Sequence, residues 1–171
     1  MIFFSTNDWK TRCTEVHVAS ARSERAPWVP VAVNASSLPV QRIHLLSGEL
    51  VRWAAESTVA QAHAFLCVYE SGIFPSADQR VLYQCLRARC GNFDSIEASP
   101  GHEFLGHERA ELAAVIECAM MNAWGITMEF ESALRAVAID HDGGVHMWSA
   151  REEVESDAAQ IARRVRGERA V

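Results

Sequence analysis

The groups best able to do chemistry are concentrated in Asp140-His141-Asp142, which lies between two runs of alternating apolar and polar residues. Carboxylates beside an imidazole can bind a metal ion or act as acid and base, and His146 follows closely enough to join them. Alternation along a strand, however, puts Asp140 and Asp142 on one face and His141 on the other. We therefore favour the alternative, a polar hairpin tip in which Asp142 suits the turn.

A second pattern, Cys85-x4-Cys90-x11-His102-x4-His107, contains the residue types of a zinc site. A zinc finger needs its thiols on a small hairpin and its imidazoles on a following helix, whereas Cys85 falls inside a predicted helix. The two histidines are five residues apart, not four as in a zincin helix. We predict neither a metal ion nor a cofactor.

Motifs for nucleophilic catalysis and phosphate binding are missing from the sequence. It contains no G-x-S-x-G elbow, no G-x-x-x-x-G-K-[ST] loop and no G-x-G-x-x-G turn. We therefore predict no catalytic residues, and the pattern favours a protein that is not an enzyme.

The composition is that of an ordinary globular chain with an excess of acid: 171 residues, 49% hydrophobic, 22% charged, net charge −6. Negative charge argues against a nucleic-acid partner, because phosphates select clustered positive charge, and it suits a basic protein partner. The apolar runs are shorter than the ~20 residues of a membrane helix. No signal-peptide pattern follows Met1, so we expect a cytoplasmic protein without a membrane segment.

The clearest structural pattern runs from Glu108 to Ser149, where a helix leads into antiparallel strands. Apolar residues at helical spacing predict the helix, and Gly125 is its expected stop. Three strand-like runs follow: Ile126–Phe130, Ala136–Ile139 and Val145–Trp148. Asp142-Gly143 between the last two predicts a tight primed turn with positive φ.

Two further strands and three further helices complete the predicted elements, and residues 1–39 give the weakest pattern. The predicted strands are an edge strand at 28–33 and a central strand at 63–70. The predicted helices span 48–56 after an N-cap at Ser47, a segment after a Ser76/Gln79 capping box that ends at Gly91, and 150–171 after a Ser149/Glu152 capping box.

Two of these helices have predicted buried faces. The expected inward residues of the helix before Gly91 are Val81, Leu82, Cys85 and Leu86. The expected stripe of the amphipathic last helix is Val154, Ala158, Ile161 and Val165. Together the elements predict a single α+β domain over residues 1–171, with about four helices packed on an antiparallel sheet.

Several short motifs give a resemblance to a known group of proteins. They are Gly72-Ile-Phe-Pro-Ser76 before a helix with Leu82-Tyr83 and Leu86-Arg87, Pro100-Gly101-His102 with Phe104-Leu105, Asn122-Ala-Trp-Gly125, and the Asp140-His-Asp142 hairpin. Over roughly residues 70–150 the chain resembles a family of small uncharacterised bacterial proteins, which are similar to the immunity proteins that accompany bacterial toxins. This resemblance implies protein–protein occlusion and no catalytic residues.

The leading hypothesis is a cytoplasmic protein that binds a protein partner, such as a basic toxin domain, through acidic steering groups and an aromatic anchor. The candidate partner-binding residues are Glu129, Glu131, Asp140, His141, Asp142 and Trp148. One alternative is a small hydrolase or metal-dependent enzyme built on Asp140, His141 and Asp142, joined by His146 or His102. Another is a structural subunit of a larger bacterial assembly that docks through its last helix.

Overall fold

The computed structural model describes residues 1–5, 7–8, 11, 28–55, 63–71, 77–130, 135–150 and 153–168. These residues include seven strands, four α-helices and a short 3-10 helix at Ala35–Ser37. The strands are β1 (Ile2–Phe4), β2 (Val29–Asn34), β3 (Ala64–Glu70), β4 (Gly101–Phe104), β5 (Gly125–Phe130), β6 (Arg135–Ile139) and β7 (Gly144–Ser149). The helices are α1 (Val40–Ala55), α2 (Ala77–Arg89), α3 (Arg109–Met121) and α4 (Val154–Arg166).

All seven strands form one antiparallel sheet in the order β1-β4-β3-β5-β6-β7-β2. The predicted α+β class is confirmed, as are the central position of β3 and the edge position of β2. Pro30 fits the edge because it removes one backbone donor. The sequence patterns missed two strands, the short β1 and the fully buried β4.

Alternate strand residues face two sides of the sheet, and the large core lies on one side. In β5 the core-facing residues are Ile126, Met128 and Phe130, each registered against a neighbour on β6. Helices α1, α3 and α4 pack on this core face, where their apolar stripes join the same cluster. Within the described residues, no helix is long and apolar enough to cross a membrane.

Helix α1 begins eight residues earlier than predicted. The carbonyl of Pro39 accepts the first helical hydrogen bonds, from Arg42 at 2.8 Å and Ile43 at 3.1 Å. Ser47 is therefore not an N-cap: it is buried inside the helix, and its hydroxyl donates to the His44 carbonyl at 2.8 Å. Gly48 suggested a boundary, but a glycine inside a helix costs only about 1 kcal/mol and is tolerated where the other face is well packed.

The ends of α3 and α4 also differ from the predictions. Ala123 adopts φ 51° and ends α3, so Gly125 opens β5 and is not the helix stop. Ser149 belongs to β7 and Glu153 directly precedes α4, which makes no side-chain cap hydrogen bond. The predicted stripe of α4 is confirmed, since all four of its residues are buried against β2, β7 and α1.

The face of helix α2 that was predicted to be buried is exposed to solvent. Val81 and Leu82 are 58% and 69% exposed, Cys85 is exposed, and Leu86 is half-buried. The inward residues are instead Tyr83 and Arg87. The end at Gly91 is confirmed by its φ of 82°, whereas Ser76 lies outside the described residues.

A polar cluster explains this orientation of α2. The Arg87 guanidinium lies over the rings of Phe3 at 4.8 Å and Tyr83 at 5.5 Å, and its Nε and Nη2 donate to Asn92 Oδ1 at 3.1 and 2.7 Å. The Tyr83 hydroxyl contacts Nε2 of His102 on β4. These interactions hold an arginine and a tyrosine in the interior, where aliphatic residues were expected.

Burial controls the protonation of this cluster. Burial, together with the positive charge of Arg87, lowers the pKa of His102 to about 3, and burial raises the pKa of Tyr83. His102 is therefore neutral in the folded protein across the ordinary pH range.

We predict that His102 makes the protein sensitive to acid. Between pH 6.5 and about 3 the unfolded chain protonates this imidazole and the folded chain does not, so stability falls as pH falls through that window. From pH 7 to pH 5 the contribution should reach about 2 kcal/mol. Urea unfolding at both pH values should show a smaller acid loss for His102→Phe than for the wild type. The surface variant His107→Gln should lose as much stability from this source between pH 7 and pH 5 as the wild type does. An equal decrease in the free energy of unfolding in all three proteins would contradict the assignment to His102.

Candidate functional site

The hairpin between β6 and β7 carries the predicted polar cluster, but its turn is not of the predicted primed type. Gly143 N–H donates to the Asp140 carbonyl at 3.0 Å, and Asp140 N–H donates to the Gly144 carbonyl at 3.0 Å. Among described residues other than glycine, only Ala123 has positive φ, so Asp142 does not. Within this loop only Gly143 has a left-handed backbone conformation, with φ 85°. This is the pattern of a three-residue hairpin loop that ends in a bulge.

The last residue of β2 and the short turn after it make hydrogen bonds to this loop. Ala35 N–H donates to the Gly143 carbonyl at 2.7 Å, and Asn34 Nδ2 and Ser36 Oγ donate to the Asp142 carbonyl at 3.0 and 3.1 Å. A Cβ on Gly143 would come within 2.5 Å of Ser36 N. Glycine is therefore required here both by its backbone conformation and by the close approach of a neighbouring chain segment.

The end of β3 brings a third carboxylate to the hairpin. His141 Nδ1 lies 2.7 Å from Glu70 Oε2, and its Nε2 lies 3.6 Å from Asp142 Oδ1. On the other strand, His146 Nε2 lies 3.6 Å from Asp140 Oδ2. The hydrogen bond to Glu70, supported by the neighbouring negative charges, raises the pKa of His141.

An exposed aromatic ring lies beside these groups. Tyr69 is 51% exposed, and its hydroxyl donates to the Ile139 carbonyl at 3.3 Å. Partial burial and the charges of Glu70 and Asp140 raise its pKa, so the phenol stays protonated. A Cβ on Gly125 would lie 2.7 Å from the Tyr69 ring, which gives this glycine a packing role.

We name this surface the acidic end: Tyr69, Glu70, Asp140, His141 and Asp142. It contains three of the six predicted partner-binding residues and adds Tyr69 and Glu70, which the sequence patterns missed. No local signal identifies these two, because they follow each other at the end of an apolar strand. Only the sheet order, with β3 beside β5 and β5 beside β6, brings them to the hairpin.

The other predicted residues lie elsewhere. Glu129 and Trp148 are 6% and 3% exposed, on the face of the sheet opposite the core, with Ala136 between them in the same cross-strand row. A partner would reach them only after the groups that cover them had moved. Glu131 lies outside the described residues.

The same row contains a second buried carboxylate. Glu103 and Glu129 flank Phe65 on its two neighbouring strands, and Glu103 contacts His63 Nδ1. The row is thus a buried layer that combines two carboxylates with apolar side chains, and it is distinct from the acidic end.

The candidate zinc ligands are dispersed. His102 is buried in β4 and contacts Tyr83, whereas Cys85, Cys90 and His107 are exposed. Across the described ranges, no group of three or more histidine, cysteine, aspartate or glutamate side chains is arranged to hold a metal ion.

We predict that the hairpin depends more on its glycine than on its carboxylate. Gly143→Val should lower the free energy of unfolding by about 1 kcal/mol or more, because φ is positive and Ser36 is close. Asp140→Asn should cost less than about 0.5 kcal/mol, since an amide oxygen can still accept the 2.8 Å bond from Gly144 N–H. Gly48→Val, at a glycine with open space around it, is the control for urea unfolding. A large loss from Asp140→Asn with a harmless Gly143→Val would reverse this interpretation.

We also predict that His141 titrates above the ordinary histidine value. Its charged form is stabilised by Glu70, so this contribution to stability is present below pH 6.5 and is lost as pH rises through the folded-state pKa. NMR titration of the imidazole should show the raised pKa, and Glu70→Gln should move it back toward 6.5. Glu117→Gln, which changes the partner of His44 elsewhere on the surface, should leave the His141 curve unchanged. An unshifted His141 in the wild type would refute the pairing.

Comparisons of the chain with models of protein families, with curated protein sequences and with solved structures find no match. The chemistry available at the acidic end is that of its own groups: three carboxylates, a protonated phenol and an imidazole held between two of the carboxylates.

Proposed function

We propose that this chain is a non-enzymatic cytoplasmic binding protein, and specifically an immunity protein that neutralises a bacterial toxin by covering part of its surface. The contact surface in this proposal is the acidic end. The observation that carries it is the placement of three carboxylates around a half-exposed tyrosine at one end of the sheet. Asn34, Ala35 and Ser36 hold the loop, so binding requires little ordering of this segment.

The charge of the acidic end favours a basic partner. Glu70, Asp140 and Asp142 all retain exposed side chains, and the whole chain carries a net charge of −6. Clustered charge of this kind increases the association rate of an oppositely charged protein and contributes less to the lifetime of the complex. The same negative charge would repel the phosphates of a nucleic acid, so nucleic acid is not among the proposed partners.

Tyr69 supplies the aromatic contact that such an interface needs. An exposed, positionally held ring can bury a large area against a partner at low entropic cost. Trp148 was the anchor expected from sequence, but its ring is already covered in the isolated chain. Tyr69 therefore takes this role in the proposal.

The two alternatives receive less support. A general base needs a ring nitrogen that faces the substrate, whereas both nitrogens of His141 face carboxylates, at 2.7 and 3.6 Å. A subunit that docks through its last helix needs a free apolar stripe, whereas the stripe of α4 is buried in this chain's own core.

The test uses the product of the gene immediately upstream as the candidate toxin. Surface plasmon resonance should show binding whose association rate falls as salt rises, and co-expression should relieve growth inhibition. The double variant Asp140→Lys, Asp142→Lys should slow association by about tenfold or more. Tyr69→Ala should mainly speed dissociation.

A matched control separates local contact from overall charge. Glu153→Lys, Glu155→Lys makes the same charge change at the same spacing, at exposed positions at the start of α4. It should retain most of the wild-type association rate and all of the protection. Equal slowing by both double variants would contradict a specific acidic contact, and binding without protection would contradict the immunity role.

A further inference from the structure

The imidazole of His141 lies between two of the carboxylates of the acidic end. Its Nδ1 is 2.7 Å from Glu70 Oε2, and its Nε2 is 3.6 Å from Asp142 Oδ1. A neutral imidazole has one N–H donor and one acceptor nitrogen, whereas the protonated ring has two donors. Only the protonated ring presents an N–H to each carboxylate, so this arrangement favours the charged form of His141.

The other groups near the ring favour the same form. The titratable groups around His141 are Glu70 and Tyr69 on β3, Asp140 and Asp142 in the hairpin loop, and His146 on β7, which pairs with Asp140. Residues 34–36 bond the loop through uncharged groups, and Gly125 of β5 brings no side chain to Glu70. The hydrogen bond to Glu70 and the charges of the aspartates raise the pKa of His141.

The carboxylates that pair with His141 are also those that a basic partner would contact. The side chain of Asp142 is 82% exposed, that of Glu70 is partly exposed, and the exposed ring of Tyr69 lies beside them. A guanidinium or ammonium group brought to these carboxylates would stand close to the imidazole. Two positive charges so placed repel each other, so each lowers the affinity of the surface for the other.

We propose that a basic partner binds the acidic end in competition with the proton of His141. A cationic side chain of the partner takes the place of that proton beside Glu70 and Asp142, and the proton passes to the solvent. Binding therefore strengthens as pH rises. This inference rests on the proposed function, because it describes how the same surface responds to the same kind of partner.

The raised pKa of His141 sets the pH range of this competition. Below that pKa, which lies above 6.5, most free molecules carry the proton and a partner must expel it. One pH unit lower, about one molecule in eleven lacks the proton, so complete competition should reduce the apparent affinity about tenfold. The sign is opposite to that of the stability contribution of His141, which is present at low pH.

A hexa-arginine peptide with blocked ends tests the competition, because it is a basic probe without a group that titrates between about pH 5 and 9. NMR titration of the full chain should show that saturating peptide lowers the His141 midpoint by about one pH unit or more. The midpoint of His44, which pairs with Glu117 elsewhere on the surface, should move much less. An unchanged His141 midpoint at saturation would overturn the proposal. So would a peptide that leaves the resonances of Tyr69 and the hairpin unmoved at millimolar concentration.

Variants separate His141 from other sources of pH dependence. Isothermal titration calorimetry should show that the wild-type affinity for the peptide changes about tenfold between one pH unit above and one below the His141 midpoint. His141→Gln should reduce this change to about threefold or less, whereas His44→Gln, at another exposed histidine–glutamate pair, should retain it. Equal pH dependence in the wild type and His141→Gln would reject the role of His141.

The candidate toxin distinguishes this proposal from the proposed function. Toxin binding and protection that do not depend on the protonation of His141 would reject the competition and leave the immunity role intact. Displacement of the His141 proton by the peptide, without binding of the toxin, would reject the immunity role and support the competition for basic ligands.

Discussion

The antiparallel register of β5, β6 and β7 is the constraint on which the rest of the structure depends. Met128, Val137 and Met147 lie in one cross-strand row and are buried in the core. The neighbouring row carries Glu129, Ala136 and Trp148 on the opposite face. A slip of one residue would exchange these two sets, so burial of the apolar row holds every side chain of the hairpin on its proper side.

The sheet order then produces the acidic end. The β6–β7 loop extends beyond the strands, and β3 reaches the same end of the sheet through its pairing with β5. Glu70 can therefore bond His141, although 71 positions separate the two in the sequence. Because β2 pairs with β7, its last residue and the turn that follows also hold the loop from the other side. The hairpin loop is thus hydrogen-bonded from both sides, by Glu70 of β3 and by the segment that ends β2.

Helix α2 shows how a polar cluster can override an amphipathic pattern. Periodicity alone favours burial of Val81, Leu82 and Cys85, because transfer of aliphatic groups from water is favourable. Tyr83 and Arg87 compete for the same interior with interactions that depend on orientation: a ring contact with His102, stacking on Phe3 and two bonds to Asn92. Those partners come from β1, β4 and the loop after the helix, so no local pattern predicts them.

The sequence by itself determined the elements that depend on local periodicity and turn chemistry. These are the α+β class, the strands of the last hairpin, the stripe of α4 and the left-handed Gly143. Tertiary structure alone decided which elements become neighbours, because cross-strand pairing joins residues far apart in the chain. Tertiary packing set the first residue of α1 and the inward face of α2. It also buried Glu129 and Trp148 and placed Tyr69 and Glu70 beside the hairpin. A pattern within a segment depends on that segment's residues alone, whereas the composition of a site depends on which strands become neighbours.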